Sequence, residues 1–196
     1  MDAFESVIAM LLRNGLGDGS EKYWTITGFK VDLTKDEKKS IGRATTPRWE
    51  IDVVAYNARK NEVLAVECKS FLNSGGVMFC EGGFKAPKRY KLFVETKTRE
   101  VVLNALAAQL LKAGLCRDSP TVRLCLAVGK FGENCDRDGL RKHLATECNG
   151  RLLDDEWIHA RMLDIPNSQY ENEVAHVAVK LYHRAKVGPR SPRGKK

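Results

Sequence analysis

The stretch that decides the fold is Trp49-Glu50-Ile51-Asp52-Val53-Val54-Ala55-Tyr56, followed by Val63-Leu64-Ala65-Val66-Glu67-Cys68-Lys69. Both runs have the apolar content of buried strands, yet each carries acid where a strand interior normally carries Val, Ile or Leu. Between them, Asn57-Ala58-Arg59-Lys60-Asn61-Glu62 is polar and long enough to reverse the chain into an antiparallel hairpin. With Arg59 and Lys60 at the tip, Val54 falls opposite Ala65, Tyr56 opposite Val63, Asp52 opposite Glu67 and Glu50 opposite Lys69. Residues i and i+2 of a strand share a face. Glu50, Asp52, Glu67 and Lys69 are therefore expected on one face, with facing Cβ atoms about 4.5–5.5 Å apart. A core does not hold such charges without a use for them. Two carboxylates and a lysine ending adjacent strands can hold a divalent metal and a water.

An exposed edge hairpin with ordinary salt bridges is the competing reading. Glu-x-Lys also recurs at Glu37/Lys39 and Glu95/Lys97. The first lies in the solvated run Asp36-Glu37-Lys38-Lys39. The second ends the apolar run Leu92-Phe93-Val94, and only the missing acidic strand at hairpin distance upstream separates it from Glu67/Lys69.

Asp52 followed by Glu67-Cys68-Lys69 resembles the core of the PD-(D/E)XK nuclease superfamily, which includes restriction endonucleases and Holliday-junction resolvases. Glu-Ile-Asp-Val-Val-Ala followed by Val-Glu-Cys-Lys-Ser is similar to versions found among resolvase-like members. The likeness is strong over residues 49–70 and extends by element order over the first two-thirds of the chain. Pro47 is not adjacent to Asp52, which departs from the family's pattern and leaves the subfamily open. The resemblance implies an α/β fold, with a mixed central β-sheet flanked by helices. It implies an αβββαβ restriction-endonuclease-like core, here with extra C-terminal helices. It also implies a metal-dependent endonuclease that hydrolyses DNA phosphodiester bonds to 5′-phosphate and 3′-hydroxyl ends, in restriction, repair or defence. Asp52 and Glu67 would be the metal ligands with the main-chain carbonyl of Cys68, and Lys69 would orient or deprotonate the attacking water. The metal would be Mg²⁺, with Mn²⁺ able to substitute. Glu5 on the first helix is a further candidate acid, and Glu50 a second ligand or a partner of Lys69. Gln109 could lie near the site, although an exposed helix position is the simpler reading.

Composition sets bounds around this reading. The chain of 196 residues is long enough for one enzyme-sized core, expected over residues 1–185, with 186–196 a basic, disordered tail. No apolar stretch is long enough to span a bilayer, and Met-Asp-Ala-Phe-Glu is a poor secretory start, so a cytoplasmic protein is expected. Six cysteines without C-x-x-C pairing, and four histidines without ligand spacing, argue against a disulfide frame and against zinc. The net charge of +8 favours a polyanionic partner such as DNA. A homodimer is compatible with paired cuts.

The basic charge has a focus. Lys85, Lys88, Arg89, Lys91, Lys97 and Arg99 interleave with Phe79, Phe84, Tyr90 and Phe93 in a glycine-broken segment after the catalytic strand. Lys85, Lys88, Arg89 and Lys91 are the candidate nucleic-acid contacts, with the aromatics either free for unstacked bases or covering the sheet edge. Elsewhere the pattern predicts a helix from Ala3, capped by Asp2 and stopped at Gly15. A strand is expected over 23–29, a polar connection over 31–48, a helix over 99–112 and a strand over 122–128. Further helices are expected near 138–147, 154–163 and 168–184, the last opened by a Ser168/Glu171 capping box. Three functional alternatives stay open: a catalytically inactive nucleic-acid-binding module of the same fold, an RNA- or branched-DNA-specific nuclease, and a defence nuclease whose sensor is a separate chain.

Overall fold

The structure, a computed structural model, describes residues 2–15, 21–43, 48–165 and 174–187. Helix α1 (Ala3–Asn14) begins at a capping box in which Asp2 and Glu5 each satisfy the other's backbone. Its Ile8, Leu11 and Leu12 are buried, and Gly15, at φ 111, ends it. Strand β1 (Trp24–Val31) follows, then a short helix α2 (Lys35–Ser40) inside the polar connection, then β2 (Trp49–Asn57) and β3 (Glu62–Lys69). A two-residue hairpin, β4 (Phe79–Cys80) and β5 (Gly83–Phe84), leads through a single 3-10 turn (Pro87–Arg89) to α3 (Lys91–Val94) and α4 (Thr96–Lys112). The chain then forms β6 (Thr121–Val128), α5 (Arg137–Glu147), β7 (Arg151–Leu153), α6 (Asp155–Asp164) and α7 (Val174–Val187).

The main sheet is mixed and five-stranded, in the order β1-β2-β3-β6-β7. β1, β2 and β3 pair antiparallel, while β6 joins β3, and β7 joins β6, in parallel. The protein is thus α/β, with a mixed sheet flanked by helices. A parallel return needs a crossover, and α4 supplies it between β3 and β6. Val102, Leu106 and Leu110 of α4 pack with Val54, Tyr56, Val63, Ala65, Leu124 and Leu126 on one sheet face. The alternate residues Val53, Ala55, Leu64, Val66, Cys125 and Ala127 are equally buried on the other. There α1 packs across β1, β2 and β3. Each fully buried Leu or Val contributes about 1.5–3 kcal/mol, so these two layers fix the sheet against both helices.

Where β2 and β3 pair, the hairpin register is the expected one, with Val54 facing Ala65 and Tyr56 facing Val63. The ladder ends at Val53–Val66, so the expected pairs Asp52–Glu67 and Glu50–Lys69 do not form. Other expectations change. β7 is a three-residue strand that the sequence pattern did not reveal. Leu92–Val94 is helical, so Glu95 and Lys97 sit at a helix junction and the competing Glu-x-Lys lies on no strand. Phe79, Phe84, Tyr90 and Phe93 are buried at 1–6% exposure rather than open to bases. Phe84 stacks on Tyr90 at 4.1 Å between centroids and meets Phe79 edge-on at 5.2 Å. Arg99 belongs to that packing and not to the basic surface. Its guanidinium donates to the carbonyls of Leu92 within the short α3 (3.1 Å) and of Glu147 at the end of α5 (2.6 Å).

Two compact units divide the chain, Met1–Asp155 and Glu156–Lys196. The second holds α7 and nearly all of α6. The Ser168/Glu171 capping box and residues 188–196 of the basic tail lie outside the described residues, whereas Lys186 and Val187 belong to α7. All six cysteines are free. Among the described residues no helix is long and apolar enough to cross a membrane.

Candidate functional site

The sheet forks where the acids stand. β2 and β3 pair from Asn57–Glu62 as far as Val53–Val66 and then stop. Beyond that couple β3 stays on β6, with Glu67 facing Leu126 and Lys69 facing Val128, while β2 stays on β1 as far as Trp49. Asp52 fills the fork: its Oδ2 accepts the Cys68 amide hydrogen at 2.6 Å, where a ladder carbonyl would otherwise do so. Lys69 Nζ lies 3.5 Å from Glu67 Oε2, with both side chains only 16–20% exposed. Asp52, Glu67, Cys68 and Lys69 therefore meet at the end of one paired ladder.

The fork has a local cause. Gly28 of β1 takes a left-handed φ of +62 and, with Asp52 opposite it, drops out of the β1–β2 ladder. Trp49 and Ile51 on one side of Asp52, and Val54 and Tyr56 on the other, all reach the same cluster. Facing alternation therefore reverses at Asp52. This corrects one expectation. Glu50 does not share the face of Glu67 and Lys69; it is exposed, pairs across to Lys30 and leaves Glu67's face to Trp49. Its charge still reaches Asp52.

Burial dominates the electrostatics. It raises the Asp52 carboxyl above its ordinary value, against the Cys68 amide and the Lys69 ammonium, which both favour the anion. Burial likewise pushes Glu67 up to about 7, with Lys69 opposing and Asp52 reinforcing. The Cys68 thiol is also raised, first by burial and then by Asp52, so it is a protonated thiol and not a thiolate ligand. Glu67 Oε1 is buried without a hydrogen-bond partner. An orphaned carboxylate oxygen beside a second carboxylate is costly unless something positive completes it.

Glu5 lies close enough for its charge to act on Glu67 and Cys68. Its Oε2 is engaged in the α1 cap, accepting the Asp2 amide at 3.0 Å. Gln109 is spoken for elsewhere: its amide brackets the Asp32 backbone, accepting at 2.9 Å and donating at 2.8 Å, and so ties α4 to the end of β1. The candidate basic residues separate. Lys88, Arg89 and Lys91 line a pocket of about 120 Å³ whose wall includes Glu67; exposed Lys85 is not among its lining residues.

Two lining residues were not anticipated, Arg43 and Trp49. The Arg43 guanidinium stacks 4.4 Å above the Trp49 ring centroid. Strict alternation assigns Trp49 to the face away from Glu67, and only the reversal at Asp52 brings it round. The one available signal was the glycine inside β1, since an isolated glycine in a strand marks a local break.

No family model, curated protein or solved structure matches this chain. The site's meaning rests on its own chemistry. Among the described residues no group of three or more His, Cys, Asp or Glu side chains is arranged to hold a metal ion. The donors brought together are the carboxylates of Asp52 and Glu67. That set fits Mg²⁺, which commonly takes one or two carboxylates and fills its octahedron with water and substrate phosphate. The orphaned Glu67 Oε1 is the atom such an ion would satisfy.

Proposed function

We propose that the protein is a divalent-metal-dependent nuclease that hydrolyses phosphodiester bonds at the β2–β3 fork. The observation that carries this is the meeting of Asp52, Glu67 and Lys69 there, with one buried Glu67 oxygen left unpartnered. Asp52, Glu67 and the Cys68 carbonyl would hold Mg²⁺ or Mn²⁺. When bound, the ion supplies charge against the phosphoryl oxygens and lowers the pKa of the attacking water.

The chain's own groups do the rest. Glu67 Oε2 positions the Lys69 ammonium from 3.5 Å, and burial of both side chains strengthens that attraction. Lys69 Nζ orients the attacking water by hydrogen bonding and stabilises negative charge developing on the phosphoryl oxygens. The water oxygen joins phosphorus, the P–O3′ bond breaks, and a water proton ends on the 3′ oxygen. Lys88, Arg89 and Lys91 offer positive charge beside Glu67 for the substrate backbone. The likeness of residues 49–70 to the PD-(D/E)XK superfamily supports the same chemistry and favours DNA as substrate. It favours products with 5′-phosphate ends.

The test is incubation of plasmid, linear duplex, single-stranded and branched DNA, and of RNA, with Mg²⁺ or Mn²⁺, using wild type and Asp52→Asn side by side. The reading requires metal-dependent cleavage by wild type, lost in the variant. Equal cleavage by both, or none by wild type on any substrate including RNA, overturns it.

A further inference from the structure

The pocket beside Glu67 has two kinds of wall. One is cationic: Lys88 and Arg89 on the 3-10 turn, and Lys91 at the start of α3. Among the described residues no carboxylate pairs with any of these three. The other wall is flat, formed where Arg43 stacks on Trp49 at the start of β2. The backbone that carries the cationic wall is anchored next to Arg89. Tyr90, next to Arg89, is buried and stacks on Phe84 with an interplanar angle of 13°.

Unpaired cations alone would suit any polyanion. A flat guanidinium–indole stack in the same small space asks for a planar partner, because guanidinium planes and aromatic rings are the surfaces on which unstacked bases settle. A nucleotide inside a continuous duplex presents its phosphate outward but keeps its base paired and stacked, so it cannot offer both to one pocket.

We infer, resting on the nuclease reading, that this pocket seats one unpaired nucleotide of the substrate strand beside the bond to be cut. Its phosphate lies on Lys88, Arg89 and Lys91, and its base lies against the Arg43–Trp49 stack. The substrate is then single-stranded, frayed or branched nucleic acid rather than continuous duplex. A free nucleotide has the same chemistry, and the experiment separates the two.

Binding is measured in EDTA, which prevents cleavage, with a labelled single strand carrying 2-aminopurine at several positions and with the same sequence as blunt duplex. Wild type binds the single strand at least about tenfold more tightly than the duplex, and 2-aminopurine emission is quenched on binding. Arg43→Ala and Trp49→Leu each lose about fivefold or more of single-strand affinity together with the quench, a larger loss than either shows on the duplex. Arg43 is half-buried and outside the strands, so its variant carries the test if Trp49→Leu folds poorly. Equal or tighter duplex binding, or a quench that survives both substitutions, overturns the inference. So does dAMP alone binding as tightly as the strand, which would make the seat one for a free nucleotide. The two claims fail separately: Mg²⁺-dependent cleavage with duplex preference retains the nuclease and removes the seat. Stacking of single strands without cleavage of any substrate removes the nuclease reading on which the inferred placement beside a scissile bond depends.

Discussion

Asp52 Oδ2 and the Cys68 amide nitrogen lie 2.6 Å apart, so a carboxylate takes the place of a strand carbonyl where β2 and β3 separate. The contact gives Asp52 two tasks, satisfying a backbone donor and offering oxygen to a metal. Different substitutions separate them.

Asp52→Asn keeps an oxygen acceptor for the Cys68 amide, whereas Asp52→Ala leaves that partly buried donor unsatisfied, at a cost of about 1–3 kcal/mol. Both abolish cleavage. Chemical denaturation should place Asp52→Asn near wild type and Asp52→Ala clearly below it. Equal losses would mean that the hydrogen bond contributes nothing to the fork.

Glu67 is pushed from the ordinary 4.5 up to about 7 by burial. Between those values the folded state holds a proton that the unfolded chain has released, so stability without metal falls as pH rises through this window. The loss is about 3 kcal/mol in all and is complete above pH 7. Glu67→Gln cannot release that proton. In EDTA its Tm should gain on wild type progressively from pH 5 to pH 7.5, although it should not cleave. Parallel Tm curves for the two proteins would contradict the raised value.

Gly28 holds φ +62 in mid-strand with no close backbone around it, so the cost of a side chain there is conformational. Gly28→Ala should destabilise by about 1–2 kcal/mol and reduce cleavage, because the same kink lets β2 leave β3 at Asp52. Gly83→Ala is the control, since Gly83 lacks left-handed backbone and has open space around it. Similar denaturation midpoints for the two variants would count against a role for the kink.

Arg99 uses a planar fork to reach a carbonyl of α3 and the last carbonyl of α5, which a lysine's single nitrogen cannot reproduce. Arg99→Lys should lose at least about 2 kcal/mol in denaturant despite keeping its charge. Wild-type stability in that variant would show the carbonyl contacts to be dispensable.

How far these features were legible depends on whether they leave a local trace. The β2–β3 hairpin and its register could be read because two apolar runs flank a polar turn and a one-residue slip would expose a buried face. The meeting of Asp52, Glu67 and Lys69 followed from that register. The reversal at Asp52 did not, because strict i/i+2 alternation through Asp52 carries no sign of it. That alternation places Glu50 on the face of Glu67 and Trp49 on the opposite one. Residues 79–93 misled for another reason: lysines interleaved with aromatics look alike whether the aromatics meet bases or pack inward. Arg99 left no trace, since most of its partners are main-chain carbonyls and the others are the neutral side chains of Thr96 and Cys148. β7 is too short to show a period.

The most direct measurement is the initial rate of Mg²⁺-dependent phosphodiester cleavage by wild type and by Lys69→Met, with circular dichroism and Tm showing both folded. Lys69 is the one candidate site residue that pairs with Glu67 and holds no backbone group in place by its side chain. The account predicts cleavage by wild type that EDTA abolishes, and a rate at least about 100-fold lower in the variant. Matching rates for the two proteins, or cleavage indifferent to EDTA, would contradict it.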